Sequence, residues 1–320
     1  MNAPLLRVRD MVMEFPVGRG TVHAVSGVSF DLARGETLAL VGESGCGKST
    51  TARAVMQLPP PTGGSVELNG VDLTRQRGSS LRSLRRQFQM IFQNPISSLN
   101  PRKRVAEIVA KPLAVAGIGT PASRRERVAE VLDTVGLDPA IAMDKRPHEF
   151  SGGQCQRISI ARALVLEPDL LICDEPVSAL DVSIQAQILN LLEDMKTRFD
   201  LTMLFISHDL AVVRNVADRV AVMYLGRFCE VGRSELLYAR PAHPYTRALL
   251  SAIPVPDPTV TPRPVELVEG DLPSPLAPPS GCRFRTRCPL ASERCAREVP
   301  ELRDLPDGRA VACHFPLVEH

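Results

Sequence analysis

The segment that most constrains the fold is GESGCGKS, which runs from Gly42 to Ser49. It matches G-x-x-x-x-G-K-[ST] at every fixed position, and it lies between a short apolar strand, TLALVG, and a predicted helix, STTARAVMQL. Glycines let successive backbone N–H groups point at one anion, and the positive end of the following helix adds to the attraction. The pattern therefore predicts a phosphate-binding loop in an α/β domain, in preference to a glycine-rich structural turn.

Residue chemistry assigns roles within this loop. Lys48 supplies a mobile positive charge for the β- and γ-phosphates of a nucleotide, and the Ser49 hydroxyl can ligate Mg²⁺. The predicted nucleotide-binding residues of the loop are Gly42, Ser44, Gly45, Cys46, Gly47, Lys48, Ser49 and Thr50.

A second segment, LLICDE (Leu170 to Glu175), predicts the acidic half of such a site. Its apolar residues form a buried strand that carries Asp174 to the carboxyl edge of the sheet, where open α/β sheets bind nucleotides. Asp174 can orient Mg²⁺ through its water shell, and Glu175 can polarise the attacking water. Alone, the segment would be an ordinary acidic pair at a strand end; after a phosphate loop, the catalytic interpretation is favoured.

Strand and helix patterns alternate along the rest of the chain. VSFDL and SVELNG are predicted strands, the stretch from residue 105 to 135 is predicted helical, and SIQAQILNLLEDM places its apolar residues on one helical face. MLFIS and VAVMY are two further apolar strands. The alternation predicts a mainly parallel sheet covered by helices on both faces.

Composition excludes several classes of protein. Hydrophobic residues make up 44% and charged residues 23%, as in folded chains. A net charge of +2, the absence of Trp and an aromatic content of 4% argue against a nucleic-acid partner. The longest stretch without Asp, Glu, Lys or Arg, residues 87–101, is too short and polar to span a bilayer, and MNAPLLRVRD lacks the apolar region of a signal peptide. We therefore expect a cytosolic chain that reaches a membrane through partners.

The segment EFSGGQ, Glu149 to Gln154, resembles the signature motif of ATP-binding-cassette (ABC) ATPases. Further matches follow in the family's order over residues 1 to about 235. Taken singly, these residues have ordinary explanations: a structural histidine, a surface glutamine and a phenylalanine packed on a strand. Because they occur in the same order as the family's motifs, the family's roles are favoured. The matching residues are the adenine-stacking aromatic Phe15, the Q-loop Gln93, the signature residues Ser151, Gly152, Gly153 and Gln154, the D-loop Asp181 and the switch histidine His208.

Longer phrases resemble the ATPase subunits of oligopeptide/dipeptide ABC importers, and the second ("F") subunit of the usual pair more than the first ("D"). These phrases are FQNPISSLNPR, DEPVSALDVSIQAQILNLL, SHDLAVVRNVADRVAVMYLGR, HPYTRALLSAIPVPDP and, near the end, GCRFRTRCP with ACHFP. One departure is Cys155, where the family usually has a long polar residue; it does not touch phosphate in the family scheme.

The resemblance implies a P-loop NTPase cassette with an antiparallel β subdomain and a helical subdomain. The expected domains are a nucleotide-binding domain over residues 1–253, with its helical subdomain at about 94–162, and a proline-rich connector with a C-terminal extension over 254–320. Two cassettes would pack head to tail, so that the loop of one faces Ser151, Gly152 and Gly153 of the other. The resemblance makes Glu175, His208 and Gln93 catalytic and assigns Mg²⁺ to Ser49, Gln93 and Asp174.

The implied function is ATP hydrolysis that energises peptide import. The implied partners are a sister ATPase subunit or a second copy, two membrane permeases and an extracytoplasmic solute-binding protein, which places the chain peripherally on the cytoplasmic face of the inner membrane. An importer of nickel or another small solute is the nearest alternative. A soluble ABC ATPase of translation or repair, or a binding module without turnover, fits less well: the chain has one phosphate loop and one SGGQ, and Glu175 and His208 are intact.

Four cysteines crowd the end of the chain: Cys282, Cys288, Cys295 and Cys313. Four thiolates suit a [4Fe–4S] cluster, which the resembling subunits are expected to carry here, and also tetrahedral Zn²⁺. The gaps of five, six and seventeen residues are wider than the close pairs of structural zinc sites and favour the bulkier cluster. His314 would be a surplus zinc ligand. Two disulfides are the third possibility, disfavoured in a reducing cytosol.

Overall fold

The computed structural model describes residues 3–18, 20–253 and 270–317. The first part of the predicted proline-rich connector, residues 254–269, lies outside the described residues. The chain forms two compact units. The phosphate-loop unit comprises Leu6–Asp31, Thr37–Leu68 and Ser207–His320, and the helical unit comprises Met1–Leu5, Leu32–Glu36 and Asn69–Ile206.

The described strands, in chain order, are β1 (Leu6–Val17), β2 (Gly20–Leu32), β3 (Thr37–Val41), β4 (Gly63–Leu68), β5 (Val71–Asp72), β6 (Phe88–Ile91), β7 (Leu170–Asp174), β8 (Thr202–Ser207), β9 (Arg219–Tyr224), β10 (Arg227–Arg233), β11 (Arg303–Asp304) and β12 (Ala310–Val311).

The described α-helices are α1 (Lys48–Val55), α2 (Gly78–Leu84), α3 (Pro95–Ser98), α4 (Val105–Val115), α5 (Pro121–Thr134), α6 (Pro139–Ala142), α7 (Gly152–Leu164), α8 (Val182–Phe199), α9 (Leu210–Val216), α10 (Ser234–Ala239), α11 (Pro244–Ser251) and α12 (Glu293–Arg297). Short 3₁₀ turns occupy Leu73–Arg75 and Pro147–Glu149. Within the described part of the chain, none of these helices combines the length and apolarity that a bilayer crossing needs.

The phosphate-loop unit contains an antiparallel β subdomain and a second group of strands. In the subdomain β1 lies between β2 and β4, and Leu6 is opposite Leu68. In the second group β3 runs parallel to β9, and β9, β10, β12 and β11 continue antiparallel. Because β12 pairs with β10, with Val311 opposite Glu230, the C-terminal strands that follow Cys282 and Cys295 are part of this unit.

The helical unit contains a parallel group in which β7 lies between β6 and β8. Every residue of β7 is buried, which accounts for the continuous apolar run that predicted this strand. The predicted helical stretch 105–135 is two helices, α4 and α5. They are separated at Gly117 and Gly119, whose φ angles of 70° and 67° no helix accommodates.

Candidate nucleotide-binding site

The phosphate loop connects β3 to α1, as the motif predicted. Gly42 and Gly47 have φ angles of 148° and 110°. A Cβ atom on Gly42 would lie 2.2 Å from the Met223 carbonyl oxygen, and one on Gly47 would lie 2.4 Å from the Ala24 carbonyl oxygen. Glycine is therefore required at both positions by backbone angle and by space, and the loop can curl tightly with its N–H groups facing one point.

Lys48 opens α1 and is buried. Its Nζ donates to the carbonyl oxygens of Gly42 at 2.7 Å and Glu43 at 3.0 Å. Both acceptors belong to the phosphate loop, so hydrogen bonds to the loop backbone fix the position of the ammonium group. When a phosphate binds, the Lys48 ammonium group would exchange its two neutral carbonyl partners for charged phosphate oxygens, which accept stronger hydrogen bonds.

Glu43 of the loop has partners that sequence reasoning missed. Nη1 of Arg287 donates to both of its carboxylate oxygens, at 3.0 and 2.9 Å. Its backbone N–H donates to the hydroxyl of Tyr245 over 3.0 Å. Arg287 and Tyr245 follow Glu43 by 244 and 202 residues, so local patterns carry no sign of these contacts. The family phrases HPYTRALLSAIPVPDP and GCRFRTRCP contain Tyr245 and Arg287, but neither phrase indicates a contact with Glu43.

The predicted acidic half of the site lies in the helical unit. Asp174 is buried at the end of β7, and Glu175 follows with a left-handed φ of 48° while its N–H donates to the Ile206 carbonyl oxygen. Gln93 Nε2 donates to Glu175 Oε2 over 2.9 Å. A non-glycine residue with positive φ is costly and is common at functional sites. The structure thus brings together the predicted Q-loop glutamine and the predicted catalytic carboxylate.

The predicted signature residues form the start of α7. The Ser151 hydroxyl accepts from the Gln154 N–H at 3.3 Å, and the Gln154 side-chain oxygen accepts from the Ser151 N–H at 3.0 Å. This reciprocal cap orders the first turn around Gly152 and Gly153. Ser151 and Gln154 are exposed, so the positive end of the helix is open to solvent or a partner.

The remaining motif residues occupy turns and a strand. Asp181 is exposed at the start of α8, where its carbonyl accepts from the Gln185 N–H. His208 is exposed in the turn before α9. Phe15 is half-buried on β1. The roles that the family resemblance gives these three residues stay predictions.

In the cysteine tail, residues 282–313, burial disfavours the ionised form of three of the four thiols. Burial raises the pKa of Cys282, and the thiols of Cys295 and Cys288 raise it further. Burial also raises the pKa of Cys313 to about 11, with the other three acting in the same direction. All four are free thiols. Yet among residues 3–18, 20–253 and 270–317, no group of three or more His, Cys, Asp or Glu side chains is arranged to hold a metal ion.

A basic groove of about 710 Å³ opens within the helical unit. Apolar residues of α4, such as Ile108 and Pro112, form part of its wall. Burial lowers the pKa of Arg162, whose guanidinium donates to the Ser98 carbonyl oxygen. The cationic side chains that line the groove are Arg82, Arg85, Arg86, Lys103, Lys111 and Arg162.

Comparison with known proteins agrees with this architecture. The ABC transporter family matches residues 25–178, and the family described as oligopeptide/dipeptide transporter, C-terminal region, matches residues 229–295. A solved dimer of an ATP-binding cassette in a post-hydrolysis state with ADP and phosphate covers 72% of this chain and 98% of its own, with a TM-score of 0.66 and 28% identity. The fold is thus a P-loop NTPase of the ABC class, as predicted.

Two curated relatives extend over nearly the whole chain. The di/tripeptide transport ATP-binding protein DppF of Pseudomonas aeruginosa is 52% identical, covering 97% of each chain. The oligopeptide transport ATP-binding protein AppF of Bacillus subtilis is 50% identical, also covering 97% of each. The chain belongs to this family of ABC transporter ATP-binding subunits, and it is an ATPase, which confirms the predicted enzyme class.

Proposed function

We propose that this chain is the ATP-hydrolysing subunit that energises peptide import through an ABC transporter. The observation that carries the proposal is the phosphate loop, with its two obligatory glycines and Lys48 at the head of α1. It occurs in a chain that is about half identical, along nearly its full length, to proteins named for peptide transport.

In this proposal the loop residues bind the β- and γ-phosphates of ATP, and Phe15 stacks on adenine. Ser49, Gln93 and Asp174 are the proposed residues for Mg²⁺, which neutralises phosphate charge. Glu175 orients a water whose oxygen attacks the γ-phosphorus, while the bond to the β–γ bridging oxygen breaks and ADP leaves. The hydrogen bond from Gln93 supports this role, because it restrains the Glu175 carboxylate.

Two cassettes are proposed to share each ATP site. The exposed, capped start of α7 supports this arrangement, because its positive end and the Ser151 hydroxyl are available to a γ-phosphate bound by another chain. Asp181 and His208 would complete the site as D-loop and switch residues. The partner is a sister ATPase subunit or a second copy of this chain.

The proposed assembly includes two membrane permeases and an extracytoplasmic solute-binding protein, with this chain bound peripherally at the cytoplasmic face of the inner membrane. The basic groove of the helical unit supports a protein partner there. Its apolar wall and cationic rim suit a short helix with acidic residues. The same assembly could carry nickel or another small solute, because cargo is selected by the binding protein and the permeases.

The proposed group of the cysteine tail is a [4Fe–4S] cluster, with Zn²⁺ as the alternative. Donor chemistry supports it, because the tail holds four free cysteine thiols and thiolates are the ligands of such clusters. Among the described residues the four thiols are not grouped as a metal site. The wide sequence gaps between the cysteines favour the cluster over zinc, because a bulkier group tolerates wider spacing. Its proposed role is structural and involves no step of ATP hydrolysis.

The function is tested in proteoliposomes that contain this chain, its sister ATPase and the two permeases, with the binding protein added outside. We expect uptake of labelled di- and oligopeptides that requires internal ATP and is absent with Lys48→Ala. Uptake of Ni²⁺ without peptide uptake would show that the cargo is nickel and not peptides. ATP hydrolysis without any response to the binding protein would contradict the transport function.

A further inference from the structure

The partners of Glu43 show that the C-terminal residues reach into the phosphate loop. We propose that Arg287 is a positioning residue for ATP binding: it neutralises and anchors the Glu43 carboxylate, so that the positive charge of Lys48 is left for the polyphosphate. Tyr245 anchors the same residue at its backbone. The inference deepens the proposed function and rests on ATP being the ligand of this loop.

The ion pair is enclosed. The Arg287 side chain is 9% exposed and the Glu43 side chain 29%, and one guanidinium nitrogen, Nη1, lies within 3.0 Å of both carboxylate oxygens. By contrast, the side chains of Arg294 and Glu298, another ion pair of the tail, are each 56% exposed. Screening by water and salt makes exposed pairs weak, whereas a pair shielded from solvent keeps most of its interaction.

Aromatic packing holds Arg287 in place. Its guanidinium lies 5.8 Å from the ring centroid of Tyr224, and Nη1 is 3.4 Å from that residue's hydroxyl. The Tyr224 ring is edge-on to Tyr245 at 4.8 Å and to Phe284 at 5.2 Å. Since the Tyr224, Tyr245 and Phe284 side chains are all buried, the position of Arg287 is determined by the packing of the tail against β9 and α11.

Charge makes this contact matter for nucleotide binding. A glutamate directly after Gly42, within a loop whose ligand carries several negative charges, would repel that ligand unless a cation neutralises it. The charge of Lys48 is the one that the phosphates need, and its Nζ contacts the backbone oxygens of Gly42 and Glu43 and not the Glu43 carboxylate. Arg287 supplies the second cation that neutralises Glu43, and it makes ATP affinity depend on a correctly folded tail.

The test is equilibrium binding of ATP and ADP to the full chain by calorimetry at low salt. In Arg287→Met the guanidinium is lost while much of the aliphatic stem is kept, and we expect ATP to bind about tenfold or more weakly. The affinity for ADP should fall less, because ADP carries one negative charge fewer than ATP. Glu43→Gln removes the repelling charge, so the double variant Arg287→Met/Glu43→Gln should recover affinity to within about threefold of the unmodified chain.

Arg294→Met is the matched control, since it removes an exposed tail arginine outside the loop, and it should bind ATP normally. Arg287→Lys keeps the charge, so its ATP affinity should be closer to that of the unmodified chain than the affinity of Arg287→Met. If a thermal melt shows that the methionine variant is unfolded, Arg287→Lys replaces it in the test. Equal losses in the single and double variants would overturn the proposal and leave Arg287 only a structural role. Failure of the unmodified chain to bind ATP would contradict the proposed function instead.

Discussion

Gln93 Nε2 donates to Glu175 Oε2 over 2.9 Å and joins two residues that lie 82 positions apart in the chain. One follows the end of β6, and the other follows β7, the adjacent parallel strand. Carboxyl ends of neighbouring parallel strands meet at one edge of the sheet, so the fold itself brings this pair together. The hydrogen bond restrains the carboxylate that we expect to position the attacking water.

The first prediction concerns Glu175→Gln. The amide keeps the shape of the side chain but removes the charge that polarises water, so turnover in the assembled transporter should fall by about 100-fold or more. ATP binding should persist, because the phosphate loop is unchanged. Phosphate release and nucleotide affinity, measured on the same preparation, check this. Turnover at the unmodified rate would remove Glu175 from its proposed role.

Lys48→Ala is the comparison for that experiment, because it should fail at a different step. It deletes the cation that opens α1, and nucleotide affinity itself should fall by about tenfold or more. If Lys48→Ala bound ATP normally while Glu175→Gln did not, the two proposed roles would be reversed.

The second prediction concerns the shared site. Gly152→Asp places a negative charge at the exposed start of α7, where an acidic residue suits the helix, and its Cβ would meet Leu180 Cδ2 at an acceptable 3.6 Å. The variant should fold and bind ATP with its own loop. It should lose hydrolysis when it is the only cassette present, since its aspartate faces the γ-phosphate bound by the other chain.

Protein concentration provides the check on this arrangement. The unmodified chain at low concentration should hydrolyse ATP slowly, and sister subunit and permeases should raise the rate per chain. A full rate in dilute, isolated chain with no dependence on concentration would contradict the shared site.

The parts of the fold that sequence could predict are those encoded by neighbouring residues. The apolar run of β7 and the glycine pattern of the phosphate loop are such features, and both lie where the patterns placed them. The break between α4 and α5 was missed, although Gly117 and Gly119 mark it. Helical periodicity on either side concealed the positive φ angles that separate the two helices.

The contact between Arg287 and Glu43 could not be predicted in this way. The two residues are 244 positions apart, and only the packing of Phe284 and Tyr245 on Tyr224 brings them together. Arg287 lies in the family phrase GCRFRTRCP, but nothing in that phrase separates it from Arg283 and Arg285 or indicates its contact with Glu43. Motifs identify residues that touch a ligand, whereas residues that position those groups are set by tertiary packing.

The third prediction concerns the cysteine tail. Anaerobically purified protein should be brown and absorb near ~400 nm, as iron–sulfur proteins do. Cys295→Ser should lose the colour and bound iron, whereas Cys155→Ala, a buried cysteine of α7 outside the tail, should keep both. Colourless protein with stoichiometric zinc and no iron would contradict the cluster and leave the ATPase assignment unaffected.

The fourth prediction concerns His243, which is 2% exposed and caps α11 by accepting at Nδ1 from the Tyr245 N–H over 3.0 Å. Burial lowers its pKa from the ordinary 6.5 to about 3. The folded state therefore keeps His243 neutral, while the unfolded chain takes up a proton as the pH falls below 6.5. Stability that is fully present above pH 6.5 is lost progressively as the pH falls towards 3, at up to about 1.4 kcal/mol per pH unit.

His243→Asn isolates this contribution, because asparagine also caps a helix through a side-chain oxygen but does not titrate. Between pH 7.5 and pH 5.5 the free energy of unfolding in urea should fall by about 1 kcal/mol more in the unmodified chain than in the variant. Burial raises the pKa of Glu230, whose carboxylate accepts from the backbone N–H of His243. Its contribution to stability therefore increases as the pH falls, opposite to that of His243. Since Glu230 is present in both proteins, its effect largely cancels in the comparison. Equal pH dependence in the two proteins would show that His243 is not held neutral by the fold.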